Sequence, residues 1–212
     1  MSDTDPYQIS TIEELRAHYD APSPLILRSK LDFLHDHMLR YMRLAPIVCI
    51  ASETEAGLDA SPRGGEPGFV KPLDRKTLAF ADWPGNNKME TFSNVIENGR
   101  IGMLFMAPRL DVFLRINGPA IVTRDPAVLE RLVEQGKTPK AAVKVTVREA
   151  YFHCGKAFRR SGLWKPEGWA DTSDFPPSAR CCRIWRRSPN CRSSSSMPST
   201  ITALSTSSTE RR

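Results

Sequence analysis

The sequence predicts a mainly β protein, an antiparallel barrel or sandwich with a few peripheral helices. Short runs rich in β-branched and apolar residues recur at regular spacing, and Gly, Pro, Asn and Asp separate them. The runs do not alternate strictly with helices, as a parallel α/β sheet would require. With 212 residues, the chain is long enough for one domain with a substantial core plus appendages.

The predicted strands cover residues 47–52, 58–62, 69–72, 77–81, 101–106, 112–116, 120–123 and 142–152. Asn117-Gly118 separates two of them and predicts a hairpin, because a type I′ turn requires positive φ at both central positions. Pro119 directly after it suits an edge strand or the start of a strand.

Helices are predicted around these strands. The TIEE sequence at residues 11–14 fits a capping box and starts a short helix that ends near Asp20. From Ser23 to about Leu44, apolar residues recur every three or four positions and predict one amphipathic helix that packs against the barrel. Three further helices are predicted at 87–98, 126–135 and 156–161.

The net charge of +6 is concentrated near the C-terminus. Residues 181–212 contain six Arg and one Glu, so the first 180 residues carry only +1. Their basic residues are interleaved with acidic ones, which argues against nucleic-acid binding. No apolar signal region begins the chain and no run approaches about 20 apolar residues, so neither export nor a membrane span is expected. Five sparse cysteines without CxxC pairs predict a cytoplasmic protein without a metal site.

The composition changes after Pro176. The 32 residues from Cys181 include nine Ser, four Thr and six Arg, without a periodic apolar face. Two hypotheses remain open for this tail: ordinary disorder, or a frameshifted substitute for a normal C-terminus that begins near Arg180. We therefore expect a leader with a short helix at 1–24, a barrel domain at 25–170 and a tail at 171–212.

Residues 61–98 contain the best candidate for a binding site. In Ser61-Pro62-Arg63, a cation precedes two glycines, whose backbone can approach a ligand closely. Asn86, Asn87 and Lys88 lie at the predicted start of a helix, where N–H groups and the dipole favour an anion. A lysine there opposes the dipole unless an anionic ligand is present. The stretch therefore predicts a phosphate site.

The sequence gives weaker evidence for functional residues elsewhere in the chain. Arg115 lies in the apolar run VFLRING, and it either faces solvent or is directed at a ligand, because an unpaired buried charge is costly. His153 and Cys154 are neighbours in a strand and point to opposite faces, which argues against a Cys–His nucleophilic pair. His153 remains the candidate for acid–base catalysis. No GxGxxG, Walker A or GxSxG pattern supports a Rossmann, P-loop or α/β-hydrolase protein.

The motifs follow an order typical of one family: SPRG, PGFV, LD, TLA, PGN, a helix ending in IEN, a GMLFM strand, LRING and YFHCGKAFRRSGLW. Over about residues 25–170, the chain resembles the pyridoxamine 5′-phosphate oxidase-like FMN-binding split-barrel proteins, in a branch distinct from the oxidase itself. The resemblance implies a six-stranded antiparallel split β-barrel, and a homodimer with FMN in two clefts at its interface.

Several residues match positions of the family motifs. The resemblance implies that the segment Ser61-Pro62-Arg63 lies beside the flavin ring and phosphate, and that Asn86, Asn87 and Lys88 form the phosphate-binding helix start. Asn87 stands where the family often has a basic residue, so one charge is missing from the phosphate site.

The resemblance also assigns residues to the second half of the site. Arg115 matches a strand position that faces the cofactor. Lys156, Ser161 and Trp164 match a KAxxRSxLW stretch that reaches the flavin of the other subunit, with a core or interface anchor as the alternative role of Trp164.

The function implied by the resemblance is that of an FMN-dependent oxidoreductase with hydride transfer through flavin N5. The electrons would come from a nicotinamide cofactor, a small amine or a heteroaromatic compound. A non-catalytic flavin binder or sensor is the first alternative, and a split barrel that binds deazaflavin or haem is the second.

Overall fold

The computed structural model describes residues 5–83 and 87–176. The chain divides into two units, Met1–Pro166 and Glu167–Arg212. The predicted fold class is confirmed, since the described strands form an antiparallel split barrel with peripheral helices. Asn86 and the tail from residue 177 lie outside the described residues, so both hypotheses for the tail stay open, and the predicted domain boundaries stay predictions.

The elements of the first unit follow one another as α1 (Ile12–Arg16), α2 (Pro24–Arg28), α3 (Asp36–Leu44), β1 (Ile47–Thr54), β2 (Gly57–Gly64), β3 (Lys71–Pro72), β4 (Thr77–Ala81), α4 (Glu90–Asn98), β5 (Arg100–Met106), β6 (Val112–Thr123), α5 (Pro126–Glu130), β7 (Ala142–Thr146), β8 (Glu149–Cys154) and α6 (Lys156–Ser161). A 3₁₀ turn follows at Pro166–Gly168. The described part thus has eight strands rather than six, one of them only two residues long.

Strand β6 joins the two parts of the sheet. Its first half pairs with β5 on one side and with β8 on the other, and its second half pairs with β7. The strand order is β2-β1-β5-β6-β7-β4-β3, with β8 against β6. Strand β2 is therefore at the edge of the sheet, where a side chain can reach a helix packed over that edge.

The core lies on one face of this sheet. Val48, Phe105 and Leu114 stand in register across β1, β5 and β6, and all three are almost fully buried. Tyr41 of α3 packs on the same core, where its hydroxyl donates to the Val112 carbonyl at 2.6 Å and accepts the Ala107 N–H at 3.1 Å. These two bonds satisfy buried backbone groups that water cannot reach.

The predicted hairpin at Asn117-Gly118 is wrong, because both residues lie inside the continuous strand β6. Asn117 pairs with Gly102 and Gly118 with Ile101, so neither residue forms a turn. The glycine is required for space: a Cβ on Gly118 would overlap the carbonyl oxygen of Thr146. A close approach between strands therefore explains the residue that the sequence motif assigned to a turn.

Other predicted elements also differ from the structure: the first helix ends at Arg16 instead of near Asp20, and the strand over 69–72 covers only Lys71–Pro72. The single strand over 142–152 is two strands, β7 and β8, since the chain leaves the sheet at residues 147 and 148. The long helix from Ser23 to Leu44 is two helices, α2 and α3, and between them Leu31 forms a backbone bridge with Ala150. The helix over 126–135 ends at Glu130.

Candidate functional site

A cavity of about 280 Å³ opens between strand β2, the end of β4 and the start of α4. Its described lining consists of Ser61, Arg63, Gly64, Phe69, Ala81, Asp82, Trp83, Asn87, Lys88, Met89, Glu90 and Phe92. Four of the predicted cofactor-binding residues, Ser61, Arg63, Asn87 and Lys88, thus meet at one place. We call this space the seat.

Arg63 is held in a defined orientation on the core-facing side of β2. Its guanidinium donates to the Thr91 hydroxyl at 3.0 Å, to the Pro62 carbonyl at 3.0 Å and to the Ser61 hydroxyl. Thr91 is completely buried in the first turn of α4. These bonds use three of the five N–H donors of the side chain, so it can donate further bonds to an anion in the seat while its position stays fixed.

Helix α4 begins three residues later than predicted, at Glu90 instead of Asn87. Asn87 and Met89 have φ angles of 57° and 52°, in the left-handed region, so the chain enters the helix through a tight bend. Met89 is the N-cap residue and makes no side-chain capping bond. The first N–H groups of α4 therefore face the seat without a side-chain cap, an arrangement that favours an anion.

Lys88 directly precedes this helix start and lies against an acid. Its Nζ is 2.7 Å from Oε1 of Glu90, and both side chains are more than half exposed. The hydrogen bond and the charge of Glu90 raise the pKa of Lys88, and the nearby charge of Asp59 contributes in the same direction. Lys88 is thus a fully charged ammonium at neutral pH, and an anion entering the seat must compete with Glu90 for it.

Acidic groups balance the cations around the seat. Asp82 and Glu90 belong to its described lining together with Arg63 and Lys88. Asp59, on the same side of β2 as Arg63, has a buried Oδ2 that finds no hydrogen-bond partner within the described part of the chain. Such an atom is costly unless a donor reaches it. The seat therefore contains both cations and carboxylates, and an anion would have to contact Arg63 and Lys88 rather than the acids.

The structure places Arg115 on the opposite face of the sheet from the seat. Arg115 pairs with Leu104, Leu104 with Cys49, and Cys49 with Pro62, so these side chains share one face. Arg63 is next to Pro62 and faces the other way. Within one chain, Arg63 and Arg115 therefore lie on opposite sides of the sheet, although the sequence predicted that both bind the cofactor.

A second space of about 430 Å³ lies on that opposite face, and its lining includes Cys49, Leu104, Arg115, His153 and Ala157. The Arg115 guanidinium stands 5.3 Å from the centre of the Tyr151 ring, a cation–π distance. His153 is exposed, and one of its ring nitrogens lies 3.1 Å from the Cys154 carbonyl. Arg115 and His153, both candidates from the sequence, are therefore neighbours.

The segment after β8 also lies near this space. Phe158 of α6 stacks on Phe113 at 3.9 Å, and Trp164 packs against Phe158 at 4.9 Å. Lys156 is exposed, and the Ser161 hydroxyl donates to the Phe158 carbonyl at the end of α6. Trp164 Nε1 is buried without a hydrogen-bond partner among the described residues. Trp164 acts as a packing anchor within this chain, and its predicted contact with a flavin stays a prediction.

Three residues at or beside the seat were not predicted from the sequence: Thr91, Asp59 and Trp83. Thr91 lay inside the predicted helix, and its polar side chain next to the apolar Phe92 was the available signal. Asp59 precedes Ser61 and Arg63 at alternate positions of one strand, which places all three on one face. Trp83 ends the run after β4, and nothing local distinguishes it from a surface residue.

In residues 5–83 and 87–176, no three His, Cys, Asp or Glu side chains come together as metal ligands. None of the described helices has the length and apolar character needed to span a bilayer.

Comparison with solved structures gives low overall similarity. The protein HupZ of Group A Streptococcus is 17% identical, with a TM-score of 0.47 over 56% of this chain and 93% of that one. A protein from Clostridium acetobutylicum related to general stress protein 26 is 15% identical, with 0.41 over 56% and 86%. The FAD binding protein from Mycobacterium smegmatis is 15% identical, with 0.42 over 58% and 97%.

No curated protein sequence matches this chain. The sequence model of the pyridoxamine 5′-phosphate oxidase family, in contrast, matches residues 34–154, which contain every described strand and the seat. The predicted resemblance is confirmed: the chain belongs to the pyridoxamine 5′-phosphate oxidase family.

Proposed function

We propose that this protein is a flavin-dependent oxidoreductase that binds FMN through its phosphate in the seat. The observation that carries the proposal is the anchored guanidinium of Arg63 facing the same cavity as Lys88 and the start of α4. Membership of the pyridoxamine 5′-phosphate oxidase family supports it.

The residues of the seat bind and orient in this proposal. Arg63, with guanidinium bonds to Thr91 and Ser61, donates to the phosphate oxygens, and Lys88 supplies the second positive charge. The N–H groups at the start of α4 add further donors. A bound flavin would supply the redox chemistry, namely hydride acceptance from a reduced nicotinamide or a small organic substrate.

The proposal requires a second copy of the chain. Arg115, His153 and the segment from Lys156 to Trp164 lie on the sheet face opposite to Arg63, so they cannot enclose a flavin held by Arg63 of the same chain. In a dimer, the partner subunit can instead bring its own copies of these residues to that flavin. In this arrangement, His153 is the first candidate for proton transfer to or from the substrate. The thiols of Cys49 and Cys154 are free, which is compatible with the reducing environment of the cytoplasm.

Absorbance and mass measurements test this proposal. We expect the purified protein to show, or to acquire with added FMN, the spectrum of bound oxidised flavin, and to elute at the mass of a dimer. Anaerobic addition of NADH or NADPH should bleach that spectrum. A colourless protein that does not bind added FMN would refute the proposal, whereas tight binding without bleaching by any donor would indicate a flavin-binding protein that is not an oxidoreductase.

A further inference from the structure

A second cavity of about 510 Å³ adjoins the seat. Asp82, Trp83 and Asn87 line both spaces and form their common wall. The far side of the second cavity is the loop between α5 and β7, which contributes Lys137 and Lys140. We call this space the outer cavity. The function proposed above does not use it.

The loop that bounds the outer cavity is held by backbone bonds. Glu134 and Lys137 exchange N–H···O bonds of 3.1 and 2.9 Å across a turn formed by Gln135 and Gly136. Both turn residues have positive φ, 49° and 72°, as a tight hairpin turn requires. The turn therefore fixes the backbone position of Lys137, whose side chain is exposed.

A further bond ties this loop to the seat. The N–H of Asp82, in the common wall, donates to the carbonyl of Ala141 at 3.1 Å. Ala141 directly precedes β7, and β7 pairs with β4 over its whole length. The walls of the two cavities are therefore joined by hydrogen bonds between β4 and β7. A ligand that extends from the seat would meet a surface that is already formed, which reduces the entropy cost of binding.

The chemistry of the outer cavity fits a nucleotide. Lys137 and Lys140 are cations, the Thr138 hydroxyl can donate or accept a hydrogen bond, and the half-buried indole of Trp83 offers a ring for stacking. Glu134 is the acid of the loop. Lysines bind phosphates as point charges, and aromatic rings stack on nucleobases without strong base preference.

The volumes of the two cavities also favour a nucleotide as the ligand of the outer cavity. The seat, at about 280 Å³, lies at the lower limit of ligand cavities, which range over about 300–1,000 Å³. The seat alone is therefore too small to hold much beyond the phosphate end of a flavin. The outer cavity, at about 510 Å³, is well inside that range, and it adjoins the seat at Trp83 and Asn87.

We propose that the outer cavity binds the adenylate half of a flavin dinucleotide, so that the protein accepts FAD with its flavin-side phosphate in the seat. This inference rests on the proposed function for the position of that first phosphate. Lys137 and Lys140 contact the second phosphate, and Trp83 stacks on the adenine.

Equilibrium binding to the flavin-free protein tests this proposal, with FMN, FAD and riboflavin as ligands followed by flavin fluorescence. We expect FAD to bind about tenfold more tightly than FMN to the wild type. In the double variant Lys137→Gln/Lys140→Gln, this advantage should disappear while the affinity for FMN changes by less than about twofold. Lys76→Gln, at an exposed lysine paired with Asp32, is the matched control and should leave both affinities unchanged.

Two results would count against different claims. If FAD binds no more tightly than FMN, or if the double variant weakens both equally, the outer cavity is not an adenylate site, although the flavin phosphate site stands. If neither FMN nor FAD binds, the proposed function itself fails. Circular dichroism of each variant separates a lost contact from a lost fold.

Discussion

The guanidinium of Arg63 donates a hydrogen bond to the buried hydroxyl of Thr91, 3.0 Å away, and this bond joins edge strand β2 to the first turn of helix α4. The bond holds the cation of the seat at the same place as the uncapped helix start. The guanidinium of Arg63 and the N–H groups at the start of α4 are thereby available to the same anion in the proposed site.

Replacing Thr91 by Val should test the role of this bond. Valine keeps the shape of threonine and so the packing of α4, but it leaves Arg63 without its acceptor. Because a hydrogen bond to a charged group contributes about 1.5–3 kcal/mol, we expect FMN to bind roughly tenfold more weakly. Thr91→Ser retains the hydroxyl and should bind nearly as the wild type does. Equal FMN affinity in Thr91→Val and the wild type would show that Arg63 needs no such anchor.

Lys88→Glu should abolish FMN binding without unfolding the barrel. The substitution reverses the charge beside the helix start, where Glu90 already places an acid, so a phosphate would meet two carboxylates. The side chain is 66% exposed, so the free energy of unfolding should change by less than about 0.5 kcal/mol. Titration with FMN and with riboflavin separates the phosphate contribution, because riboflavin lacks the phosphate.

Glu90→Gln is the complementary change. It removes the carboxylate that competes for Lys88, and we therefore expect tighter FMN binding than in the wild type. Unchanged FMN affinity in both Lys88→Glu and Glu90→Gln would move the phosphate site away from the seat.

Gly118→Ala should destabilise the barrel where β6 crosses β7. The added Cβ overlaps the Thr146 carbonyl oxygen, and backbone atoms on both sides must move to make room. Overpacking of this kind costs about 1–3 kcal/mol, which urea unfolding would detect. Gly168→Ala is the control, since an added Cβ there meets nothing within 4 Å and the position does not require positive φ. Equal stabilities of the two variants would contradict the close approach.

Asp74 should make a pH-dependent contribution to stability. Its carboxylate accepts the Thr77 hydroxyl at 2.7 Å and the N–H groups of Lys76 and Thr77 at 2.6 and 2.8 Å. The Thr77 hydroxyl and these N–H groups lower the pKa of Asp74 below its ordinary value of 3.8. A carboxyl whose pKa is lower in the folded state stabilises the fold above its unfolded pKa, and that stabilisation is lost as the pH falls through the folded pKa.

Urea unfolding of Asp74→Ala at several pH values tests this. At neutral pH we expect the variant to be less stable by about 1 kcal/mol, since the bonds are exposed to water. The difference should shrink below about pH 4. A difference that stays constant down to pH 2 would show that the Asp74 charge makes no contribution.

Elements whose signals are local were predicted well. The capping box at Thr11 and Glu14 forms as predicted, with both reciprocal bonds. Strand β4 and helix α6 have the predicted bounds, because the residues that start and end them are close neighbours in the chain. The seat was also partly predictable, since Arg63 beside glycines and Lys88 before a helix are short motifs with a direct physical meaning.

Features that depend on pairing between distant segments were not predictable. Asn117-Gly118 has the chemistry of a turn, and the pairing of β6 with β5 on one side and β8 on the other overrides that local preference. In the same way, the bridge between Leu31 and Ala150 interrupts an apolar pattern that suits one long helix.

The sequence by itself determined the fold class and the family, and it brought the cations Arg63 and Lys88 to attention as candidates for a phosphate site. These depend on composition, period and short motifs, which act over a few residues. The tertiary structure alone decided that Thr91 anchors Arg63, that the sheet places Arg115 on the opposite face from Arg63, and that a second cavity adjoins the seat at Trp83. The physical reason is that strand register and the packing of α4 over β2 are set by the combined burial of distant segments, and no local pattern contains that information.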